Sequence, residues 1–144
     1  MLNNCKLIIV PVDGSESSGR AAAFAAELAR AIKCPVRLLH VYAPTGNELV
    51  GMAQLPRERI ESFSKESGRL AFEEARAEMN VDDIEVDELV VWGEPREEII
   101  AAANATDAMI VMGRRGLGKV KEMLLGSVSD AVMRNAGRPV TIVS

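Results

Sequence analysis

A chain of 144 residues has the usual size of one domain, and at 48% hydrophobic residues it buries roughly two-thirds of its unfolded surface in a single core. Its 21 acidic and 17 basic residues leave a net charge of −4, which gives no electrostatic reason to seek nucleic acid or an anionic membrane. No apolar run approaches the ~20 residues that span a bilayer, and Asn3, Asn4 and Lys6 interrupt any signal-peptide pattern, so a cytoplasmic protein without membrane or nucleic-acid partners is expected.

Lys6–Val12 (KLIIVPV) is a short apolar, β-branched run that ends in the turn and capping residues Asp13-Gly14-Ser15. It predicts a buried strand feeding a helix. Ala21, Ala25, Leu28 and Ile32 then recur at helical spacing with Ala22 and Ala29 beside them, giving a smooth face for packing on a sheet, and Cys34-Pro35 ends the helix. Val36–Tyr42 (VRLLHVY) predicts a second strand. Ala43–Leu55 shows no periodicity and is expected to be a mobile loop. From Pro56 to about Met79, Ile60, Phe63, Leu70, Ala71 and Ala75 fit a helix with a charged outer face.

Ile84–Val91 (IEVDELVV) predicts a third strand near a sheet edge, and Gly93-Glu94-Pro95 opens a helix with proline in its first turn. Asp107–Met112 (DAMIVM) is the fourth strand. Ser127–Asn135 reads as a helix ending near Gly137, and Pro139–Val143 (PVTIV) as the fifth strand. Five strands alternating with four helices predict one open α/β unit, a parallel sheet covered on both faces by right-handed crossovers. The chain has no internal repeat and no linker-like composition.

Cys5 and Cys34 form no CxxC pair and are too few for a disulfide framework, so two reduced, half-buried thiols are expected. The single histidine, His40, has no companion at metal-ligand spacing and is expected to be packed rather than catalytic.

In open parallel sheets ligands bind beyond the carboxyl ends of the strands, where strand order reverses. Those ends carry Asp13-Gly14-Ser15, Tyr42-Ala43, Trp92-Gly93 and, richest of all, Gly113-Arg114-Arg115-Gly116-Leu117-Gly118. Three glycines let backbone N–H groups approach an anion, and Gly126-Ser127 opens a helix whose first amides, with the Ser127 hydroxyl, suit a phosphate. Arg114, Arg115, Lys119 and Lys121 supply local positive charge beside Glu122. The residues alone leave a second reading open, in which the loop is an ordinary connection, Ser127 and Asp130 form a capping-box-like pair, and the basic residues are solvated.

Two phosphate motifs are absent. Gly113-x4-Gly118-Lys119 begins like a P-loop, but Val120 stands where a Ser or Thr would hold magnesium. Gly116-x-Gly118 reaches no third glycine, so the dinucleotide fingerprint is missing too.

Gly113-x2-Gly116-x9-Gly126-Ser127 resembles the G-x2-G-x9-G-[S/T] motif of the ATP-binding members of the universal stress protein family. Ile9-Val10-Pro11-Val12-Asp13-Gly14-Ser15, Gly93-Glu94-Pro95, Gly126-Ser127-Val128-Ser129 and Arg138-Pro139-Val140 match as well, so the resemblance spans residues 1–144 as one such domain. It implies a Rossmann-like sheet of order 3-2-1-4-5, with the crevice between the first and fourth strands. ATP would lie there with Pro11, Val12, Asp13 and Val41 around adenosine and Met112, Gly113, Gly116, Gly126, Ser127 and Val128 along ribose and phosphates. A carboxylate is tolerable beside ribose or the adenine amino group and repulsive beside phosphates, which agrees with Asp13 at the nucleoside end. Its other reading is a cap of the first helix, and that of Val41 a plain core valine.

Phosphoryl transfer needs a positioned nucleophile and a held metal, and the loop supplies cations only. The leading expectation is therefore a nucleotide-dependent regulator or sensor of the stress response with a regulatory protein partner, and no catalytic residue. A slow ATPase or adenylate-transferring enzyme, and an interaction protein independent of nucleotide, are the alternatives; magnesium or manganese as a companion of ATP is left open. The resemblance also implies a homodimer formed by antiparallel pairing of the terminal strand, Val140–Ser144, with a second copy.

Overall fold

The computed structural model describes residues 5–116 and 125–144. Among them β1 (Ile8–Pro11), α1 (Glu16–Ile32), β2 (Val36–Tyr42), α2 (Asn47–Met52), α3 (Arg57–Glu78), β3 (Val86–Trp92), α4 (Pro95–Thr106), β4 (Met109–Gly113), α5 (Ser127–Asn135) and β5 (Val140–Val143) follow in chain order. The sheet runs β3-β2-β1-β4-β5 with every neighbouring pair parallel, the order and direction expected. No described helix is long and apolar enough to cross a membrane.

Side chains alternate across the sheet, so each central strand feeds two cores. Ile8, Val10, Val12, Val36 and Leu38 pack against Ala21, Ala22, Ala25 and Ala29 of α1 and Ala71, Phe72 and Ala75 of α3. Leu7, Ile9, Leu39, Ile110 and Met112 pack against Ile99 and Ala103 of α4 and Val132 of α5. The alanine face of α1 has no bulk to hold it off the strands, and all four of those alanines are fully buried. Burying each Ile, Leu or Val of the central strands contributes about 1.5–3 kcal/mol, which is why the sheet interior is nearly all aliphatic.

The segment Ala43–Leu55 differs from expectation: it contains α2, so the described helices are five rather than four. Nothing periodic encodes this short helix. It is held by tertiary contact, with Met52 buried and its Sδ 3.8 Å from the Tyr42 hydroxyl.

The cysteines differ too. Cys5 and Cys34 form a disulfide with Cα atoms 6.0 Å apart, not two reduced thiols. The register Ile8↔Val36 brings the residues ahead of β1 and β2 to the same end of adjacent strands, a proximity that a separation of 29 residues does not reveal.

At the β3 edge, Arg37 Nε and Nη2 donate to the two Asp87 oxygens at 2.9 and 3.0 Å, and Arg76 donates to Glu88. The Arg37 hydrogen bond holds the Asp87 carboxyl below its usual range against opposing desolvation. On α3, hydrogen bonding from Arg69 does the same for Glu66. Charges along an edge strand discourage pairing with foreign strands.

Candidate functional site

β1 and β4 are neighbours, yet their following helices leave on opposite faces of the sheet: α1 packs with α3, and α5 packs with α4. The chain therefore parts beyond their carboxyl ends, and a cleft of about 430 Å³ opens there.

The β1 side of the cleft is shaped by local hydrogen bonds. Asp13 Oδ1 accepts from the Ser15 N–H at 3.0 Å, Gly14 takes a left-handed turn, and the Ser15 hydroxyl caps α1 by accepting from the Ser18 N–H at 3.1 Å. Ser15 is thus the N-cap, and Asp13 supports the turn ahead of it.

On the β4 side, Gly113 lies so close to α1 that a Cβ would meet the Ser17 carbonyl carbon and oxygen at 2.7 Å. The Ser17 hydroxyl accepts from the Arg115 N–H at 3.2 Å, and the Ser129 hydroxyl donates to the Gly113 carbonyl at 2.8 Å. Two helices thereby grip the end of β4. Gly116 lies against Asp13, where a Cβ would be 2.5 Å from Oδ2, so the chain after β4 reaches the β1 turn.

The loop closes where the Gly126 N–H donates to the Arg114 carbonyl at 2.7 Å. Gly126 is the N-cap of α5 without a side-chain cap bond, and Asp130 pairs with Arg134 instead, so the capping-box reading of Ser127 and Asp130 does not hold. The first amides of α5 have no intrahelical acceptor and carry the positive end of the helix dipole.

All ten residues named from the sequence, Pro11, Val12, Asp13, Val41, Met112, Gly113, Gly116, Gly126, Ser127 and Val128, line this one cleft. Leu117, Gly118, Lys119, Val120, Lys121 and Glu122 of the loop lie outside the described residues. The reading from sequence missed Ser18, Leu39, Pro95 and Ile99 as lining residues, and counted Arg115 only as local charge; Ser129, whose amide it offered to a phosphate, lines the cleft as well. Leu39 stands two residues before Val41 and so shares its face, a signal that strand alternation contained. Pro95 and Ile99 reach the cleft because α4 begins at the same end of the sheet, which needs the fold to be known.

Apolar Pro11, Leu39, Val41, Pro95 and Ile99 thus line the cleft together with Gly113, Gly116 and the start of α5. Such a site accepts a flat apolar group at one end and an anion at the other. Among the described residues no group of three His, Cys, Asp or Glu is placed to hold a metal ion.

Comparison with known proteins agrees with this architecture. The sequence model described as the Universal stress protein family matches residues 4–144. A universal stress protein of Thermus aquaticus is 36% identical over 144 residues, covering 96% of this chain and 98% of that protein. The universal stress protein from Archaeoglobus fulgidus solved in complex with dAMP is 28% identical, covers 100% of both chains and superposes with a TM-score of 0.65. A universal stress protein solved in complex with cAMP is 26% identical with a TM-score of 0.67, covering 96% of each chain. The chain belongs to the universal stress protein family.

Proposed function

We propose that this cleft binds an adenine nucleotide, ATP in the cell, and that the protein is a nucleotide-dependent regulator of the stress response in the cytoplasm. The observation that carries the reading is the pairing, within one cleft, of an apolar wall around the Val41 backbone with the N-terminus of α5. Relatives solved with dAMP and cAMP add support for an adenine nucleotide.

The base follows from β2. Along a parallel strand, backbone groups point to the two neighbours in alternation. The Leu39 carbonyl accepts from Val12 on the β1 side at 2.8 Å, and the Tyr42 carbonyl accepts from Gly93 on the β3 side at 3.3 Å, so the N–H and C=O of Val41 face the β1 side. β1 ends at Pro11, so these groups face the cleft. A donor and an acceptor on the backbone of one residue match adenine, which offers an acceptor at N1 and a donor at N6. Guanine offers the reverse.

Asp13 then serves ribose hydroxyls, Ser127 and Val128 serve the phosphates through backbone amides and the Ser127 hydroxyl, and Gly126 lies beside them with no Cβ in the way. Met112 and Gly113 floor the ribose, and Gly116 closes over it. A magnesium or manganese ion would arrive with the phosphates, which supply its ligands. Occupancy of the cleft changes what a partner protein meets at its mouth. The edge strand β5 carries no charged residue, unlike β3, which suits antiparallel pairing of Val140–Ser144 in a homodimer.

Acid extraction and chromatography of the purified protein test the reading. An adenine nucleotide at close to one per chain is expected, and its replacement by a guanine nucleotide, or recovery of none even after incubation with millimolar ATP, would refute it.

A further inference from the structure

We infer that His40 is a positioning residue that keeps the Val41 N–H available to the base; this rests on the nucleotide reading above. In a parallel ladder each residue donates to the residue before its partner and accepts from the residue after it. β1 and β2 pair with Pro11 opposite Leu39, which puts Val12 opposite His40. The Val12 N–H donates to the Leu39 carbonyl at 2.8 Å, as this rule requires. The next bond of a regular ladder would run from the Val41 N–H to the Val12 carbonyl.

That carbonyl is bonded to a side chain instead. His40 Nδ1 lies 2.9 Å from the Val12 oxygen, and because a carbonyl only accepts, Nδ1 carries the proton. The other ring nitrogen, Nε2, is hydrogen-bonded to the Ser67 hydroxyl of α3 at 2.8 Å. The ring is 7% exposed and stands edge-on to Phe72 at 6.4 Å, so its orientation is fixed by packing as well as by both hydrogen bonds.

His40 and Val41 point to opposite faces of the sheet, the first under α3 and the second into the cleft. His40 thus draws the Val12 carbonyl toward the α3 face, ends the β1 ladder one bond early, and leaves the Val41 amide facing the cleft. A buried imidazole that makes no contact with ligand sets which hydrogen bonds the ligand finds.

Hydrogen exchange followed by NMR on the nucleotide-free full chain tests this directly. In the wild type, the Val41 amide should exchange about tenfold or more faster than the Leu39 amide, which lies inside the ladder. Equal protection of the two would overturn the proposal without any variant. His40→Leu, which removes both ring nitrogens, should restore the ladder bond, protecting Val41 while weakening ATP binding about tenfold and leaving GTP binding unchanged. His40→Asn keeps a donor near the Nδ1 position and should behave as wild type in both measurements. A folded His40→Leu chain with unchanged Val41 exchange, or an Asn variant that fails to rescue, would contradict the assignment. Absence of ATP binding to a wild type whose Val41 amide exchanges fast would instead overturn the nucleotide reading, so the two failures are distinct.

Discussion

Gly113 and Ser17 touch backbone to backbone: a Cβ on Gly113 would sit 2.7 Å from the Ser17 carbonyl carbon, inside any permissible contact. The end of β4 and the first turn of α1 are therefore one unit, and the cleft exists because this glycine lets them meet. Gly113→Ala must push α1 away from the sheet, and we expect a loss of about 1–3 kcal/mol, read as a lower midpoint in urea unfolding. Gly126 is different. Its Cβ would meet the Arg115 Cα at 3.3 Å and the Arg114 oxygen at 3.4 Å, a tight fit that a small shift relieves. Gly126→Val should cost only about 1 kcal/mol, mostly as a poorer helix cap, while losing nucleotide entirely. Retention of bound nucleotide by folded Gly126→Val would argue that the loop amides do not hold it.

The Cys5–Cys34 bond closes a loop that contains β1 and α1, with a separation of 29 residues. In the chain-entropy view such a crosslink stabilises by about 3–4 kcal/mol. Cys5→Ser, or addition of a reductant to the wild type, should lower stability by that order and leave the reduced wild type and the variant alike. An identical unfolding midpoint with and without reductant would contradict the pairing.

The lowered pKa of Asp87, caused first by its hydrogen bond to Arg37, implies a small dependence of stability on acid. A depressed carboxylate stabilises fully above its unfolded pKa of about 3.9, and the contribution disappears as pH falls through the folded pKa. Asp87 is 58% exposed in its side chain, so screening by water keeps the pair to about 0.2–1 kcal/mol. Arg37→Ala should therefore be slightly less stable than wild type at pH 7 and indistinguishable from it near pH 2. A difference that persists near pH 2 would place the effect in lost packing of the arginine stem instead.

Local signals were strong enough to read β2 (Val36–Tyr42) and α5 (Ser127–Asn135) with their observed bounds. The first is an apolar run between Pro35 and Ala43, and the second begins after Gly126 and ends before Gly137. What stayed hidden is what depends on neighbours in space. Helix α2 has poor local encoding, with Gly51 inside it, and is anchored through Met52 on Tyr42. The disulfide depends on strand register. His40 reads from the sequence as a packed residue, which it is, but its bond to Val12 becomes visible only once β1 is seen to end where it does. Eight of the ten named residues that line the cleft lie in the matched motifs, and Val41 and Met112 came from what the resemblance implies; Pro95 and Ile99 were not read as lining, because they come from an element that contributes only apolar surface.

The most direct test of the whole account is calorimetric titration of nucleotide-stripped protein with ATP and, separately, with GTP. The Val41 backbone pair and the α5 N-terminus together predict one ATP per chain, with GTP weaker by about tenfold or more because its N1 and O6 reverse the required donor and acceptor. Equal affinity for the two nucleotides, or no heat from either at millimolar concentration, would contradict it.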